Sequence, residues 1–409
     1  MIVNAETIPI WKFPFPAVTI CDNNQISKTK IQQVLKKLKV HANMKQNDFE
    51  DLFRYLITIY SINIRNYTKV LTLQNILDAN NMTLAKILKN TAPDCKDIFV
   101  KCFWKNKQKL CKRLFVSTQT SFGVCCSFNE VAYRKPHVTR KVLLKSASPN
   151  KSPFDLSVII RTNPDDYYSA FRRFYGFNVF VHKPFEPADV GIPYIFVQKR
   201  TLTKIIVEPV LITMGRTNKK IYETYAKCNT NEEHRLQLFN FYTKHNCYRE
   251  CLDHAIMSKC NCARLFANRF IKNVSRMRSC NFRDVDCIKK TTKLINCDCP
   301  HNCKNYNFDI TYSVGSFMPE FFPKLSLNAN DSVLQVGFSD ITSTHASYAV
   351  RNTWISIFSF TGGILSLFIG FHFKAIIEII YFLTVNIIKD RLLLKQKKKQ
   401  NNKLNIYQN

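Results

Sequence analysis

Three ionisable side chains stand in the most apolar stretch of the chain, residues 354–388. They are His372, Lys374 and Glu378. Ionisable groups are costly in lipid, so in a membrane helix they usually face a bundle interior or a wet cavity. Lys374 and Glu378 are four residues apart, which places them on one helix face where they can pair. A simple anchor has little use for such groups, so their types and spacing indicate a helix that lines an ion pore.

The surrounding stretch has the composition of a membrane span. Residues 352–373 contain no formal charge, and about 20 apolar residues are enough to cross the hydrocarbon core. A basic tail follows, which by the positive-inside rule is expected in the cytosol, with everything before Trp354 outside. Gly362, Gly363 and Gly370 allow close approach of neighbouring membrane helices. The alternative, a buried core helix of a soluble protein, is disfavoured by the uncharged length.

Sixteen cysteines among 409 residues indicate a disulfide framework in an exported chain. Ten lie in residues 228–303. Cys247 and Cys251 would share one face of a helix expected at 231–258, which a capping box at Thr230 and Glu233 would open. Cys297 and Cys299 would share one face of an extended strand.

Two such faces can be joined as a ladder, Cys247 to Cys299 and Cys251 to Cys297, with Cys228 to Cys303 outside it. Cys260 and Cys262 have Cys280 and Cys287 nearby, and many other pairings remain open. Zinc is the rival interpretation because of the CxC pairs and His301, but the spacings match no common finger. Glycosylation motifs compatible with export begin at Asn66, Asn81, Asn273 and Asn330.

Other function classes find little support. The formal charge of +31 often indicates nucleic acid, but no zinc finger, RNP motif or basic–aromatic groove pattern is present. The basic tail is better explained as a topology and anionic-lipid signal. No catalytic motif appears, and His182, His234 and His254 lack partners at triad or metal spacing. We therefore expect no enzyme, no metal, no cofactor and no nucleic-acid partner.

Hydrophobic periodicity predicts local structure before the apolar stretch. Amphipathic helices are expected at 28–39 and 48–62. Residues 156–162, 177–183, 192–200 and 204–213 are rich in β-branched and aromatic residues and predict one antiparallel sheet. Residues 1–20 fit neither a signal peptide nor a span, so that an upstream segment is expected to be missing.

Four blocks give the chain a specific resemblance. Residues 15–24 contain FPAVTIC, residues 123–129 read GVCCSFN, the ten-cysteine array ends in CDCPHNC, and residues 362–378 carry a glycine-rich helix core. Together they cover nearly the whole chain. The sequence resembles subunits of the degenerin/epithelial sodium channel family, in particular the insect pickpocket branch.

The resemblance implies an α+β membrane protein. Its large disulfide-rich extracellular domain, with a β-sheet palm, a helical cysteine-stapled thumb, and finger and knuckle regions, would stand on a C-terminal pore-lining transmembrane helix. The first transmembrane helix would be absent from this chain. The implied regions are a linker after that helix at 1–20, the finger and first palm strands at 21–153, the palm at 154–227, the thumb at 228–303, the palm/knuckle return and wrist at 304–350, the second transmembrane (pore) helix at 351–388, and the cytosolic tail at 389–409.

The resemblance also implies disulfide partners. They are Cys21–Cys125, Cys102–Cys111, Cys228–Cys303, Cys247–Cys299, Cys251–Cys297, Cys260–Cys287 and Cys262–Cys280. Cys95 and Cys126 are left over and are expected to bond to each other.

The implied function is that of a subunit of a trimeric, amiloride-sensitive, sodium-preferring cation channel in the plasma membrane, opened by an extracellular or mechanical stimulus. Sodium would be the permeant ion, and the trimer would be homomeric or built with other family subunits. The gate region maps to Ser359, Phe360, Gly362 and Gly363. The selectivity filter maps to Gly370, Phe371 and His372. The alternatives are a non-conducting regulatory subunit or a single-span disulfide-rich receptor.

Three residues depart from the family pattern. His372 replaces the serine of the filter and is titratable near neutral pH. Ser366 replaces a glycine, and Lys374 stands where an apolar residue is usual. Three copies of Lys374 around a homotrimeric pore would repel sodium unless each paired with Glu378. We therefore expect a homotrimer to conduct poorly.

Overall fold

The structure is a computed structural model. It describes residues 2–39, 45–60, 64, 66–133, 144–148, 154–189, 191–214, 228–229, 236–265, 277–316, 327–349, 354–370 and 373–406. In chain order the described strands are β1 Ile2–Pro9, β2 Ala17–Asp22, β3 Asn24–Ser27, β4 Phe99–Trp104, β5 Lys107–Lys109, β6 Phe115–Thr120, β7 Gly123–Phe128, β8 Leu156–Arg161, β9 Tyr167–Ala170, β10 Gly176–His182, β11 Tyr194–Gln198, β12 Thr201–Met214, β13 Cys228–Asn229, β14 His301–Asn302, β15 Lys304–Ser316, β16 Asp331–Phe338 and β17 Thr342–Ala349.

Helices of three kinds accompany these strands. The described α-helices are α1 Lys28–Leu35, α2 Gln46–Leu52, α3 Tyr67–Ala79, α4 Leu84–Thr91, α5 Cys95–Ile98, α6 Cys111–Leu114, α7 Lys244–Cys260, α8 Val285–Leu294, α9 Trp354–Ile369, α10 Phe373–Tyr381 and α11 Ile387–Ile406. Short 3-10 helices lie at Ile10–Lys12, Phe53–Tyr60, Pro164–Asp166 and Phe282–Asp284, and a π-helix at Phe382–Asn386 joins α10 to α11.

Two β-sheets form the centre of residues 4–347. The larger has the order β1-β17-β12-β16-β8-β4-β5, with β15 also paired to β12, and the smaller has the order β11-β10-β2-β7-β6. Their apolar faces share one core, in which Phe15, Val18 and Phe128 pack with Val158 and Ile205. Alternation of buried and exposed residues along β12 gives it one core face, as a half-buried strand requires.

The strand prediction was right about most segments and wrong about their assembly. The four predicted strands correspond to β8, β10, β11 and β12. They divide between the two sheets, however, and β12 pairs with β16 in parallel while it pairs with β15 antiparallel. The partner strands come from residues 304–316 and 331–338, beyond the predicted segment. Pattern within one segment carries no information about such distant pairing.

Residues 2–20, interpreted as a linker, form β1, a 3-10 turn and most of β2. Ile10, Phe13 and Phe15 in this segment are at most 3% exposed. The segment therefore contributes side chains to the core. Pro9, Pro14 and Pro16 interrupt its apolar residues, and because proline is disfavoured within strands the sequence pattern does not predict strands here.

The helical region packs around its own apolar cluster. In the two predicted helices the buried stripe consists of Ile31, Leu35 and Leu38 and of Phe49, Leu52, Phe53 and Leu56. The first α-helix ends at Leu35, and the second prediction divides into α2 and the 3-10 helix Phe53–Tyr60.

The start of the helix expected at 231–258 was wrong. α7 begins at Lys244, and residues 236–243 are described but are not α-helical. Thr243 is the N-cap, and its side chain accepts a hydrogen bond from the Asn246 N–H at 3.0 Å. Thr230 and Glu233, the expected capping box, lie outside the described residues.

Candidate ion pathway and disulfide framework

All sixteen cysteines are joined in pairs, with no free thiol. The bonds are Cys21–Cys125, Cys95–Cys126, Cys102–Cys111, Cys228–Cys303, Cys247–Cys299, Cys251–Cys297, Cys260–Cys287 and Cys262–Cys280. These are the same partners that the resemblance implies, together with the expected bond between the two remaining cysteines.

The segment that is disulfide-bonded to α7 is not the extended strand that was expected. Cys247 and Cys251 are one turn apart on the helix, but residues 295–300 belong to no strand. The bonds themselves hold this segment against α7. Among the described residues, Cys262, Cys280 and Asp284 are close enough to share a metal ion. The two sulfurs are bonded to each other, so they are not available as thiolate ligands.

A buried arginine on α7 was missed in the sequence. The Arg249 side chain is 4% exposed and donates to the Asp189 carboxylate in the loop after β10. Burial alone would lower the pKa of Arg249, but the nearby acidic groups, including Tyr133, Asp189 and Asp253, raise it above its ordinary value. This ion pair fixes the helix to the loop. The only sign of this buried arginine in the sequence was its position midway between Cys247 and Cys251, two residues from each and therefore not on their helix face.

Two acidic residues of α7 near Arg249 also contact neighbouring parts of the chain. Asp253 pairs with Arg264, and the Glu250 carboxylate accepts from the backbone N–H groups of Gln237 and Leu238 at 2.7 and 2.9 Å. Burial raises the pKa of Glu130 to about 7. A buried pair that loses one member leaves an uncompensated charge, so these contacts hold α7 in one orientation.

The smaller compact unit, residues 1–3 and 348–409, contains the stretch interpreted as the pore helix. Among the described residues no single helix is long and apolar enough to cross a membrane. Trp354–Phe368 and Phe373–Lys399 meet the requirement of length and composition together, with a bend of 78° between them. The described part of residues 351–388 is therefore not one continuous helix, because α9 ends at Ile369 and α10 begins at Phe373. Gly370, the first residue expected in the filter, is described and lies in this break.

Gly370 explains why the helix stops. Its φ is +66°, in the left-handed region that glycine adopts without steric cost. Its N–H donates to the Ser366 carbonyl at 3.1 Å, which closes the last turn of α9. A Cβ at this position would meet no atom within 4 Å, so the glycine is required by the backbone conformation rather than by space.

The other residues assigned to the ion pathway lie on either side of this break. Ser359, Phe360, Gly362 and Gly363 are in α9, while Phe371 and His372 lie outside the described residues. On α10 the Lys374 ammonium is 3.8 Å from the Glu378 carboxylate, and the two side chains are 76% and 59% exposed. Most of the large apolar side chains described on α9 are exposed as well. An apolar helix of this kind is covered by lipid or by other helices.

Three of the four predicted glycosylation sites are described. Asn81 is exposed and Asn66 and Asn330 are half-buried, whereas Asn273 lies outside the described residues.

Comparison with known proteins agrees with this arrangement. The family model described as "Amiloride-sensitive sodium channel" matches residues 1–382. The chain is 23% identical to "Sodium channel protein Nach" of Drosophila ananassae over 96% of this chain and 77% of that protein. It is 23% identical to the protein of the same name from Drosophila melanogaster, over 95% and 77%. It is 24% identical to "Pickpocket protein 28" of Drosophila melanogaster, over 95% and 69%.

The family model covers most of the chain, so it decides between the ion channel and the other function classes considered from the sequence. It agrees with the FPAVTIC and GVCCSFN blocks and with the cysteine array. The chain therefore belongs to the amiloride-sensitive sodium channel family, whose members are multimeric ion channels of the plasma membrane and not enzymes.

Proposed function

We propose that the chain is a subunit of a trimeric, amiloride-sensitive, sodium-preferring channel that an extracellular or mechanical stimulus opens. The observation that carries this proposal is the break between α9 and α10, where Gly370 leaves the helix. Irregular backbone at membrane depth is tolerated where it is buried in protein or lines a water-filled cavity. In this proposal residues 4–347 face the exterior and the tail after residue 388 faces the cytosol.

The break would supply the filter. Where a helix stops, its last carbonyl groups are no longer hydrogen-bonded within it and can face an ion. Three copies of Gly370, Phe371 and His372 would surround a partly dehydrated sodium ion, with pore size and carbonyl dipoles setting selectivity. The α9 segment with Ser359, Phe360, Gly362 and Gly363 would form the gate.

The two sheets and α7 would form the stimulus-sensing region. We assign the palm to 154–227 and the thumb to 228–303, with the finger in 21–153 and the return to the membrane in 304–350. The Arg249–Asp189 ion pair and the cysteine ladder support this assignment, because the ion pair joins α7 to the loop after β10 and the ladder joins α7 to residues 297–299.

A second candidate function, a non-conducting or heteromeric regulatory subunit, is favoured by Lys374. Its pairing with Glu378 is an exposed contact at 3.8 Å, and such contacts contribute only about 0–1 kcal/mol. Unpaired, each ammonium at about 10 Å would destabilise a sodium ion by about 1.7 kcal/mol at an effective dielectric of about 20. A barrier of that size slows permeation more than tenfold.

A recording of sodium current distinguishes the conducting subunit from the regulatory subunit. The subunit is expressed alone from its complete transcript, as wild type, Lys374→Leu and Lys374→Arg, with surface amounts measured by biotinylation. We expect small wild-type and Lys374→Arg currents, and an amiloride-blocked current at least about tenfold larger for Lys374→Leu. Large wild-type current would refute the charge-ring argument. If every variant stays silent at the surface, the regulatory or the single-span receptor alternative replaces the pore-forming one.

A further inference from the structure

A cavity of about 350 Å³ lies between the end of β10, the paired strands β13 and β14, and the loop before α7. This is within the range of small-molecule sites, about 300–1,000 Å³. Its walls are mainly aromatic. The Phe185 and Phe241 ring centroids are 4.8 Å apart and edge-on, and Tyr306 is 5.8 Å from Phe185. It shares no residue with the ion pathway.

Positive charge lines one side of this cavity. The Lys304 ammonium lies 5.3 Å from the Tyr306 ring centroid, and none of the described carboxylates pairs with it. The Lys183 ammonium donates to the Asn305 carboxamide at 2.9 Å and is 3.8 Å from Glu186, so its charge is partly balanced. Thr243, the N-cap of the 17-residue helix α7, also lines the cavity. The positive end of a helix dipole adds to the two lysines.

Asn229 supplies an independent sign of a ligand. It lines the cavity and is 5% exposed, and its side-chain amide can make more hydrogen bonds than its surroundings supply. The Tyr242 hydroxyl donates its own proton to the Pro300 carbonyl at 2.9 Å, so it can only accept one bond from the Asn229 amide. A buried polar group with a missing bond costs about 1–3 kcal/mol. Such an amide is explained when a bound molecule supplies the missing bond.

We propose that this cavity binds a small organic anion with an aromatic or branched apolar body. The apolar body packs against Phe185, Phe241 and Tyr306. The carboxylate or sulfonate group accepts from Lys304 and from the Asn229 amide. A cationic ligand is disfavoured because Lys304 already occupies the face of Tyr306, and a neutral ligand leaves the ammonium unpaired. The site is a property of the extracellular fold and does not depend on whether the subunit conducts.

The test is calorimetric titration of the purified, detergent-solubilised full chain with 2-naphthoate, and with its neutral analogue 2-naphthamide. We expect saturable binding of the anion, at least tenfold weaker binding of the amide, and at least tenfold weaker binding of the anion to Lys304→Gln. Lys204→Gln is the matched control. Its ammonium also lies against a ring, 5.9 Å from the Phe154 centroid, but on β12 outside the cavity.

A second variant separates loss of binding from loss of folding. Asn229→Leu removes the buried amide, so we expect weaker binding of 2-naphthoate with an unchanged or raised unfolding midpoint. Equal affinity for the acid and the amide overturns the proposal. So does equal weakening by Lys204→Gln and Lys304→Gln, or no heat of binding at millimolar anion.

Discussion

Asp22, at the end of β2, is a carboxyl group that the fold buries. It is 7% exposed, and its Oδ1 accepts from the Asn24 N–H at 2.8 Å and from the Tyr167 hydroxyl at 3.3 Å. These two bonds lower the pKa of Asp22. Burial outweighs them and, with the nearby Asp166 carboxylate, raises that pKa from 3.8 to about 7. Asp22 therefore holds its proton in the folded state at pH values where the unfolded chain releases it.

Asp22→Asn should change how stability depends on pH. Between about pH 4 and 7 the folded state binds more protons at this position than the unfolded state, so the wild type loses stability as pH rises. The asparagine side chain does not titrate in this pH range. We expect the variant to equal the wild type near pH 4 and to exceed it by up to about 4 kcal/mol above pH 7, since each pKa unit corresponds to about 1.4 kcal/mol.

Denaturant unfolding of both proteins across this pH range measures the difference. Asp165→Asn is the control, because it makes the same change of side chain at an exposed aspartate on the 3-10 turn Pro164–Asp166. A constant difference between Asp22→Asn and the wild type from pH 4 to 8 would show that Asp22 titrates normally.

At the scale of elements, two disulfides close loops of very different length. Cys21–Cys125 joins β2 to β7 across 104 residues, whereas Cys102–Cys111 spans 9. In the chain-entropy model the stabilisation grows with the logarithm of loop length. We expect Cys21→Ala/Cys125→Ala to lose about 2 kcal/mol more than Cys102→Ala/Cys111→Ala. Urea unfolding under non-reducing conditions gives both values. Equal losses would mean that local packing, not the unfolded chain, determines the stabilisation.

How far the elements could be predicted follows from what sequence patterns encode. Cys247 and Cys251 revealed a helix face, and the strand segments were visible in their β-branched residues. The division into two sheets was not visible, because the partners of β12 lie about a hundred residues away. The break at Gly370 was not predicted either. A glycine in an apolar run is typical of close helix packing as well as of a left-handed turn.

The buried polar groups were the least predictable part of the candidate sites. Arg249, Asp22 and Asn229 look like ordinary surface residues in the sequence, and each is at most 7% exposed in the structure. Their environment is assembled from several distant elements. Local periodicity describes one face of one element, so it cannot report which charges another element brings to that face.

For the whole molecule, glycosylation reports which side of the membrane residues 4–347 occupy. The three described sites differ in local structure. Asn81 is exposed, and its partner Thr83 lies at the start of α4. Asn330 is followed by Asp331 and Ser332, which are 0% and 1% exposed, and Ser332 donates to the Gln198 carbonyl. A bulky glycan is accommodated at exposed positions, so Asn81 fits one and Asn330 does not.

Asn81→Gln should therefore remove a glycan from the mature subunit, and Asn330→Gln should not. Each variant is expressed in cells, and its gel mobility is compared before and after enzymatic removal of N-linked glycans. We expect the wild type to shift on deglycosylation, Asn330→Gln to match it, and Asn81→Gln to run faster before treatment. A wild type that does not shift contradicts the extracellular orientation. Faster migration of Asn330→Gln contradicts only the argument from the burial of Asp331 and Ser332, since a glycan at either position requires the same side of the membrane.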